Sequence, residues 1–320
     1  MIRKAIALSF VLLATSGCCS DDFSFEQIMA ARHGGSMKMQ VCVIDDTGKP
    51  VADAQVKCSM SAPRSGWNHS NAVTGTNGVC SVGGRTDGEE IRLSVNKDGY
   101  YGSSRKYCFV SMDRVRDVRF NRWQPYGEEI TITLYPIRNP AKVVVSPRRI
   151  SPPRTDTWLG FDMEKKDWVS PYGTGTNEDL RIRLKWDGLP SWESRSMEVD
   201  VEIPGTDDGM YLEEKLVGSK LTSPYRALPD QDFNGQKSFH YFRYRRDDIG
   251  YYKSNVFCGK DSMVVRMRTK RDSQGKIVSC HYGRIECIEL NAGGENGFSL
   301  YLRYIFNPTP NDTNLEYVQR

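Results

Sequence analysis

Turn-forming residues punctuate this chain about every ten positions, and the stretches between them alternate apolar and polar with a period of two. Such stretches are too short and alternate too regularly for helices. Met39, Val41 and Val43 alternate with Gln40 and Cys42. After Asp45-Asp46-Thr47-Gly48-Lys49-Pro50, the alternation resumes at Ala54, Val56, Cys58 and Met60. The pattern predicts a hairpin across that turn. Further strands are predicted at 79–82, 91–95 and 129–135, with turns at Thr74-Gly75-Thr76-Asn77-Gly78 and Lys97-Asp98-Gly99-Tyr100. An all-β sandwich follows.

Later residues repeat the theme. Strands are predicted at 180–186, 197–203, 239–245, 263–269, 277–281, 285–290 and 298–306, giving a second, mostly antiparallel β domain. Between the two, Pro136, Pro140, Pro147, Pro152 and Pro153 disfavour helix and suit a stiff connector. The expected layout is a leader at 1–17, a tether at 18–37, a first β-sandwich at 38–136, a linker at 137–155 and a second β domain at 156–320. The alternative for the linker is an edge strand at Val143-Val144-Val145 that already belongs to the second domain.

The run Val43-Ile44-Asp45-Asp46-Thr47-Gly48-Lys49-Pro50-Val51-Ala52-Asp53-Ala54, followed by Thr74-Gly75-Thr76-Asn77-Gly78 and Lys97-Asp98-Gly99-Tyr100, resembles the carboxypeptidase regulatory-like family. The resemblance covers roughly 38–136. It implies a transthyretin-like or Ig-like sandwich that serves as a spacer, an interaction surface or an accessory, and it implies no peptidase activity. Residues 160–173 and 307–316 resemble segments of bacterial envelope proteins and bring no activity with them.

Arg3 and Lys4 lead into an apolar run at 5–14, then small residues, then Cys18. That order reads as an export signal. At about 1.5 Å per residue the run reaches roughly half of a ~30 Å hydrocarbon core, so it is too short to span a membrane. Thr15-Ser16-Gly17-Cys18 resembles a lipoprotein lipobox, with Thr15 where a larger aliphatic residue is usual. The resemblance implies lipidation at Cys18 and attachment to a membrane through that anchor only. Simple secretion by cleavage near Ser16 or Gly17 is the alternative. An exported protein of the periplasm or outer membrane is expected.

Export sets the reading of the cysteines. Cys42, Cys58, Cys80 and Cys108 are compatible with two disulfides in an oxidising compartment. Cys280 and Cys287 read as opposite positions of a hairpin around Tyr282-Gly283-Arg284, and a disulfide is expected between them. The alternative is two buried thiols packed as small apolar groups. No spacing suits a metal, and no cofactor is expected.

With 44 basic and 40 acidic residues, the net charge of +4 is too mild to argue for nucleic acid. The histidines His33, His69, His240 and His281 lack a glutamate three positions on, so the zinc-carboxypeptidase motif is absent. There is no Gly-x-Ser-x-Gly elbow. A glycosidase needs only two carboxylates, which no sequence of this kind excludes.

The binding candidates are aromatic and basic. On the predicted strand at 239–245, Tyr241, Arg243 and Arg245 alternate with Tyr244, and such rings and guanidinium groups suit an anionic glycan. Trp168 and Trp192 would serve as sugar platforms if exposed. The competing reading places one face of the strand and these indoles in the core, with arginines lying along the other face. The expected function is a non-catalytic envelope protein acting as a structural or protein-interaction module. Its partners would be envelope proteins or, as the rival reading, extracellular or cell-wall glycans. A glycan-active hydrolase is the weaker alternative.

Overall fold

The computed structural model describes residues 25–62, 66–88, 90–109, 118–146, 148–186, 196–216, 218–222, 225–246, 251–254, 261–292 and 298–318. The fold is all-β, built as several sheets. Helix α1 (Phe25–His33) precedes β1 (Gly35–Asp45), β2 (Gln55–Ser61), β3 (Trp67–Val73), β4 (Val79–Thr86) and β5 (Glu90–Asn96). The first unit is completed by β6 (Tyr100–Tyr101), β7 (Ser103–Cys108), β8 (Val118–Arg119), β9 (Arg122–Trp123) and β10 (Glu128–Pro136). The expected tether at 18–37 thus contains a helix and the start of a central strand.

One sheet runs β6-β10-β1-β9-β8 with β4 also on β1, and the other runs β3-β2-β5-β7. The inward set is the period-two set: Met37, Met39, Val41 and Val43 from β1 face Val56, Cys58 and Met60 from β2 and Ile91, Leu93 and Val95 from β5. The expected β1–β2 hairpin does not form, because these two strands lie in different sheets. Strand β1 instead pairs antiparallel with β4 and parallel with β10. Side chains close the gaps between the sheets. Asn68 Nδ2 donates to the Arg85 carbonyl at 3.0 Å, and Arg105 Nη1 donates to the Thr131 carbonyl at 3.0 Å.

The second unit opens with β11 (Val144–Val145) and β12 (Arg148–Ile150), which both pair with the last strand. Val144 and Val145 thus form an edge strand against the last strand, and the segment between β10 and that strand is 137–143. The strands β13 (Leu159–Asp162), β14 (Asp167–Trp168), β15 (Leu180–Trp186), β16 (Ser196–Glu202), β17 (Gly209–Glu214), β18 (Ser238–Arg246) and β19 (Tyr251–Ser254) follow. A meander of β20 (Asp261–Arg271), β21 (Ile277–Ala292) and β22 (Phe298–Phe306) completes it. The sheets β14-β13-β15-β16-β18-β19 and β11-β22-β21-β20-β17 enclose Phe161, Leu184, Val199, Val265, Ile288 and Leu302. The outer face of the second sheet is covered in turn by Ala227, Phe233 and Leu315 against Val264, Tyr282 and Ile305.

Strand β21 corrects the expected disulfide. Residues 277–292 form one continuous strand rather than two around a turn, so Cys280 and Cys287 lie about 23 Å apart along it. A disulfide needs Cα atoms within about 7 Å. Cys280 is a free, buried thiol, and the partner of the disulfide-bonded Cys287 lies outside the described residues. Cys42, Cys58, Cys80 and Cys108 are free as well. The register pairs Cys80 with Val41, so Cys80 takes the inner face of that sheet and Cys42 the outer.

Candidate functional site

The two units meet along a junction built by separate chain segments. Glu316, 2% exposed, is its centre. Its Oε1 accepts from the Tyr101 hydroxyl at 3.1 Å and the Arg138 amide at 2.8 Å, and its Oε2 accepts from the Asn139 amide at 2.8 Å. Its backbone carbonyl accepts from the Ala141 amide at 2.8 Å. Burial, then the nearby Glu316 carboxylate, pushes the Tyr101 hydroxyl above its ordinary range. The Tyr225 hydroxyl donates to the Pro136 carbonyl at 2.6 Å, and Arg138 lies 4.3 Å over the Tyr225 ring while pairing with Asp46.

A second set of contacts joins the strands. Ser104 donates its amide to the Gly218 carbonyl at 2.7 Å, and Lys220 donates its amide to the Gly102 carbonyl at 2.9 Å. Glycine is required at Gly218, which has φ +80° and where a Cβ would run into the Ser104 carbonyl; at Gly102 a Cβ would lie 2.5 Å from Asn96 Oδ1, the end of a side chain that can turn away.

Beside these contacts lies a groove of about 480 Å³, the size of a small-ligand cleft and at an interface between units, where such clefts are common. The first unit supplies Asp53, Asn96, Lys97 and Tyr100, the connector Ile137, and the second unit Lys220 and Val318. Lys97 is held in place: its Nζ donates to the Ala52 carbonyl at 2.6 Å and sits 5.8 Å from the Tyr100 ring centre. Carboxylates, ammonium groups, an amide and an aromatic face together suit a polar ligand of mixed charge.

The residues singled out in the sequence lie elsewhere, in the second unit. Trp168 is buried, donates from Nε1 to the Ser151 carbonyl at 3.2 Å and packs edge-on against Phe161 at 5.2 Å. Pairing of β14 with β13 aims it into the core, so it is no exposed platform. Tyr241 is half-buried against the same core beside Phe239, 5.3 Å away, and burial raises its hydroxyl pKa. Arg243, Tyr244 and Arg245 continue β18 opposite Ser254, Lys253 and Tyr252. Trp192 and Cys18 lie outside the described residues.

The outer face of β15-β16-β18 carries an ion ladder instead. Arg183, Asp200 and His240 stand in register: Arg183 Nη2 meets Asp200 Oδ2 at 2.7 Å, and His240 Nδ1 meets Oδ1 at 2.7 Å. Burial opposes ionisation of Asp200, but bonds to His240 and Arg183 outweigh it and lower its pKa. Among the described residues no group of three His, Cys, Asp or Glu side chains is placed to hold a metal ion. No described helix is long and apolar enough to cross a membrane.

The junction residues Glu316 and Lys220 escaped the sequence reading. Lys97 and Tyr100 were visible only as a turn.

No protein-family model matches this chain, and no curated protein matches it. Among solved structures it is similar to 3-chlorocatechol 1,2-dioxygenase from Rhodococcus opacus 1CP, with a TM-score of 0.26 and 14% identity over 37% of this chain and 62% of that one. It is also similar to chlorocatechol 1,2-dioxygenase from Pseudomonas putida, with a TM-score of 0.24 and 15% identity over 33% of this chain and 61% of that one. The chain thus spans less than two thirds of either enzyme, and a likeness this slight carries no argument about fold or activity.

Proposed function

We propose that this protein is a non-catalytic component of a bacterial cell envelope, exported and lipid-anchored at Cys18, that acts as a structural or protein-interaction module. In this reading the first unit is a carboxypeptidase regulatory-like sandwich serving as a rigid base. The observation that carries the proposal is the groove at the junction. Its walls come from both units, and the bonds to Glu316, Gly218 and Gly102 fix those walls relative to each other. A fixed recess of mixed charge suits an extended, polar segment of a partner protein, because little ordering is left to do on binding. The rival glycan reading is weakened by the burial of Trp168 and Tyr241.

The test is photo-cross-linking in cells that export the protein, with the reactive residue placed at Gln55 or Lys220 in the groove and at exposed Val278 outside it. Protein adducts of defined mass are expected from the groove positions, and they should vanish in Lys97→Glu. Absence of adducts at both groove positions would overturn the proposal, and adducts to glycan would replace it with the rival reading.

A further inference from the structure

We infer that the outer face of the β3-β2-β5-β7 sheet in the first unit binds an uncharged polysaccharide chain, with Trp67 as the stacking ring. Strand β2 sends Val56, Cys58 and Met60 into the core, and β5 sends Ile91, Leu93 and Val95. The residues between them therefore point outward. Pairing sets the outward side chains in rows across the four strands. His69, Ser59, Arg92 and Lys106 form one row, and Asn71, Lys57, Ser94 and Ser104 the next. At about 4.8 Å between strands, each row is roughly 14 Å long, the length of a short oligosaccharide.

Trp67 stands opposite Ser61 on the edge strand β3 and is 59% exposed, whereas the other described tryptophans are buried or half-buried. The Arg92 guanidinium lies 6.0 Å over its ring and draws the indole toward the first row, yet more than half of the residue stays open to solvent. His69 Nδ1 meets Ser59 Oγ at 3.1 Å, which steadies the imidazole beside it. Ser61 donates its hydroxyl to Asp87, tying the strand opposite the indole to the end of β4.

The make-up of this face selects its ligand. Apart from Trp67, Val73 and Cys108, every outward side chain of the four strands is a hydrogen-bonding group. A protein partner is gripped through an apolar interface centre poor in charge, and here the centre holds hydroxyls, amides and ammonium groups. A sugar chain has the matching chemistry, with flat C–H faces to lie on one ring and hydroxyls for the polar rows around it. The charges favour an uncharged sugar. Glu90 stands between Arg92 and Lys106, 3.2 and 3.3 Å away, and their bonds hold its carboxyl below the usual range. An acidic sugar at this row would face that carboxylate and compete for cations already engaged. Lys57 is the further permanently charged side chain among the described outward residues, and Arg64 and Glu89 lie outside the described residues. The inference stands apart from the groove, whose walls include Gln55 and Asn96 from the far end of the same strands.

The experiment is affinity electrophoresis of the purified protein through gels containing hydroxyethylcellulose, laminarin, glycol chitin or heparin. Retardation by at least one of the three uncharged polymers is expected, and added salt should not abolish it. Trp67→Ala should weaken binding about tenfold, Asn71→Ala about threefold, and Val278→Asp should leave it unchanged. Because Trp67 is exposed, the urea midpoint of Trp67→Ala should match that of wild type, which separates lost binding from lost fold. Trp67→Phe keeps a stacking ring and should retain most of the binding, while the change in tryptophan emission on adding the polymer disappears. No retardation by any uncharged polymer, wild-type binding by Trp67→Ala, or retardation by heparin alone would each overturn the inference. Capture of a protein in cells by a photo-reactive residue at Asn71 would overturn it as well, in favour of a protein partner on this face.

Discussion

Arg268 shows how much of the second unit hangs on single side chains. Its Nε and Nη2 each lie 2.8 Å from an oxygen of Asp179, Nη2 also reaches Asp162 Oδ1 at 3.2 Å, and Nη1 meets Glu164 at 2.5 Å. The guanidinium lies 4.8 Å from the centre of the Phe306 ring. Asp162 is fully buried and also accepts from the amides of Glu164, Lys165, Thr176 and Asn177, fastening the loop between β13 and β15. Burial opposes its ionisation, but those amides and Arg268 outweigh burial and lower its pKa. For Asp179 burial wins over Arg268 and the pKa is raised. A depressed carboxylate contributes stability above its unfolded pKa of about 3.9, and that stability is lost as pH falls through the folded value. Asp162→Asn should therefore cost about 2–4 kcal/mol at neutral pH. The gap from wild type should narrow as the pH is lowered through the carboxylate range. Urea unfolding of both proteins across that range checks this, and a constant difference would refute it. The thiols give a second prediction. Burial pushes Cys58 up to about 11, whereas Cys108 is exposed. Alkylation at mildly alkaline pH, followed by mass spectrometry, should label Cys108 promptly and Cys58 only once the chain unfolds.

Among the elements, the glycines separate what was legible from what was not. Period-two alternation found β1, β2, β4, β5 and β10, because burying one face of a strand leaves that mark in the sequence. Pairing leaves no such mark. Strands β1 and β10 lie side by side although their paired residues, such as Met39 and Glu128, are far apart in sequence. Gly283 misled more directly, since Tyr282-Gly283-Arg284 reads as a turn yet lies inside β21. A Cβ there would sit 2.8 Å from the Ile305 carbonyl and 3.2 Å from Val265 Cγ2, so glycine is present for close packing. Gly275 is a turn glycine, with φ +81° and open space around its Cβ position. Gly283→Ala should cost about 1–3 kcal/mol through overpacking, and Gly275→Ala about 1–2 kcal/mol through the backbone alone. Replacing Gly275 with Asn, which tolerates positive φ, should recover part of that loss, whereas Gly283→Asn should be worse than Gly283→Ala. Chemical denaturation of the four variants gives the ranking, and rescue of Gly283 by Asn would contradict the packing account.

For the whole molecule, the question is whether two β units behave as one. The groove unites Lys97, Ile137, Lys220 and Val318, which no local pattern links, so the sequence disclosed its turn and its connector but not their meeting. Glu316 had no signal of its own, because a single carboxylate near the end of a chain reads as solvated until its partners are known. Those partners make it structural. Removing its side chain strands the Arg138 and Asn139 amides and the Tyr101 hydroxyl at a buried junction. Each buried group left without a partner costs about 1–3 kcal/mol, so Glu316→Ala should lose about 3–5 kcal/mol, concentrated where the units join. Each unit keeps its own core, around Val41 and Leu93 in the first and around Phe161 and Leu302 in the second. The loss should therefore appear as uncoupling rather than collapse. Wild type is expected to unfold in one calorimetric transition, and Glu316→Ala in two, with protease cleavage appearing at 137–143 before either unit melts. Glu316→Gln keeps one acceptor oxygen but places an amide donor against a backbone N–H, and it should fall between the two. A single transition in Glu316→Ala, shifted down as a whole, would mean that the units are coupled chiefly through the Ser104–Gly218 and Lys220–Gly102 bonds instead.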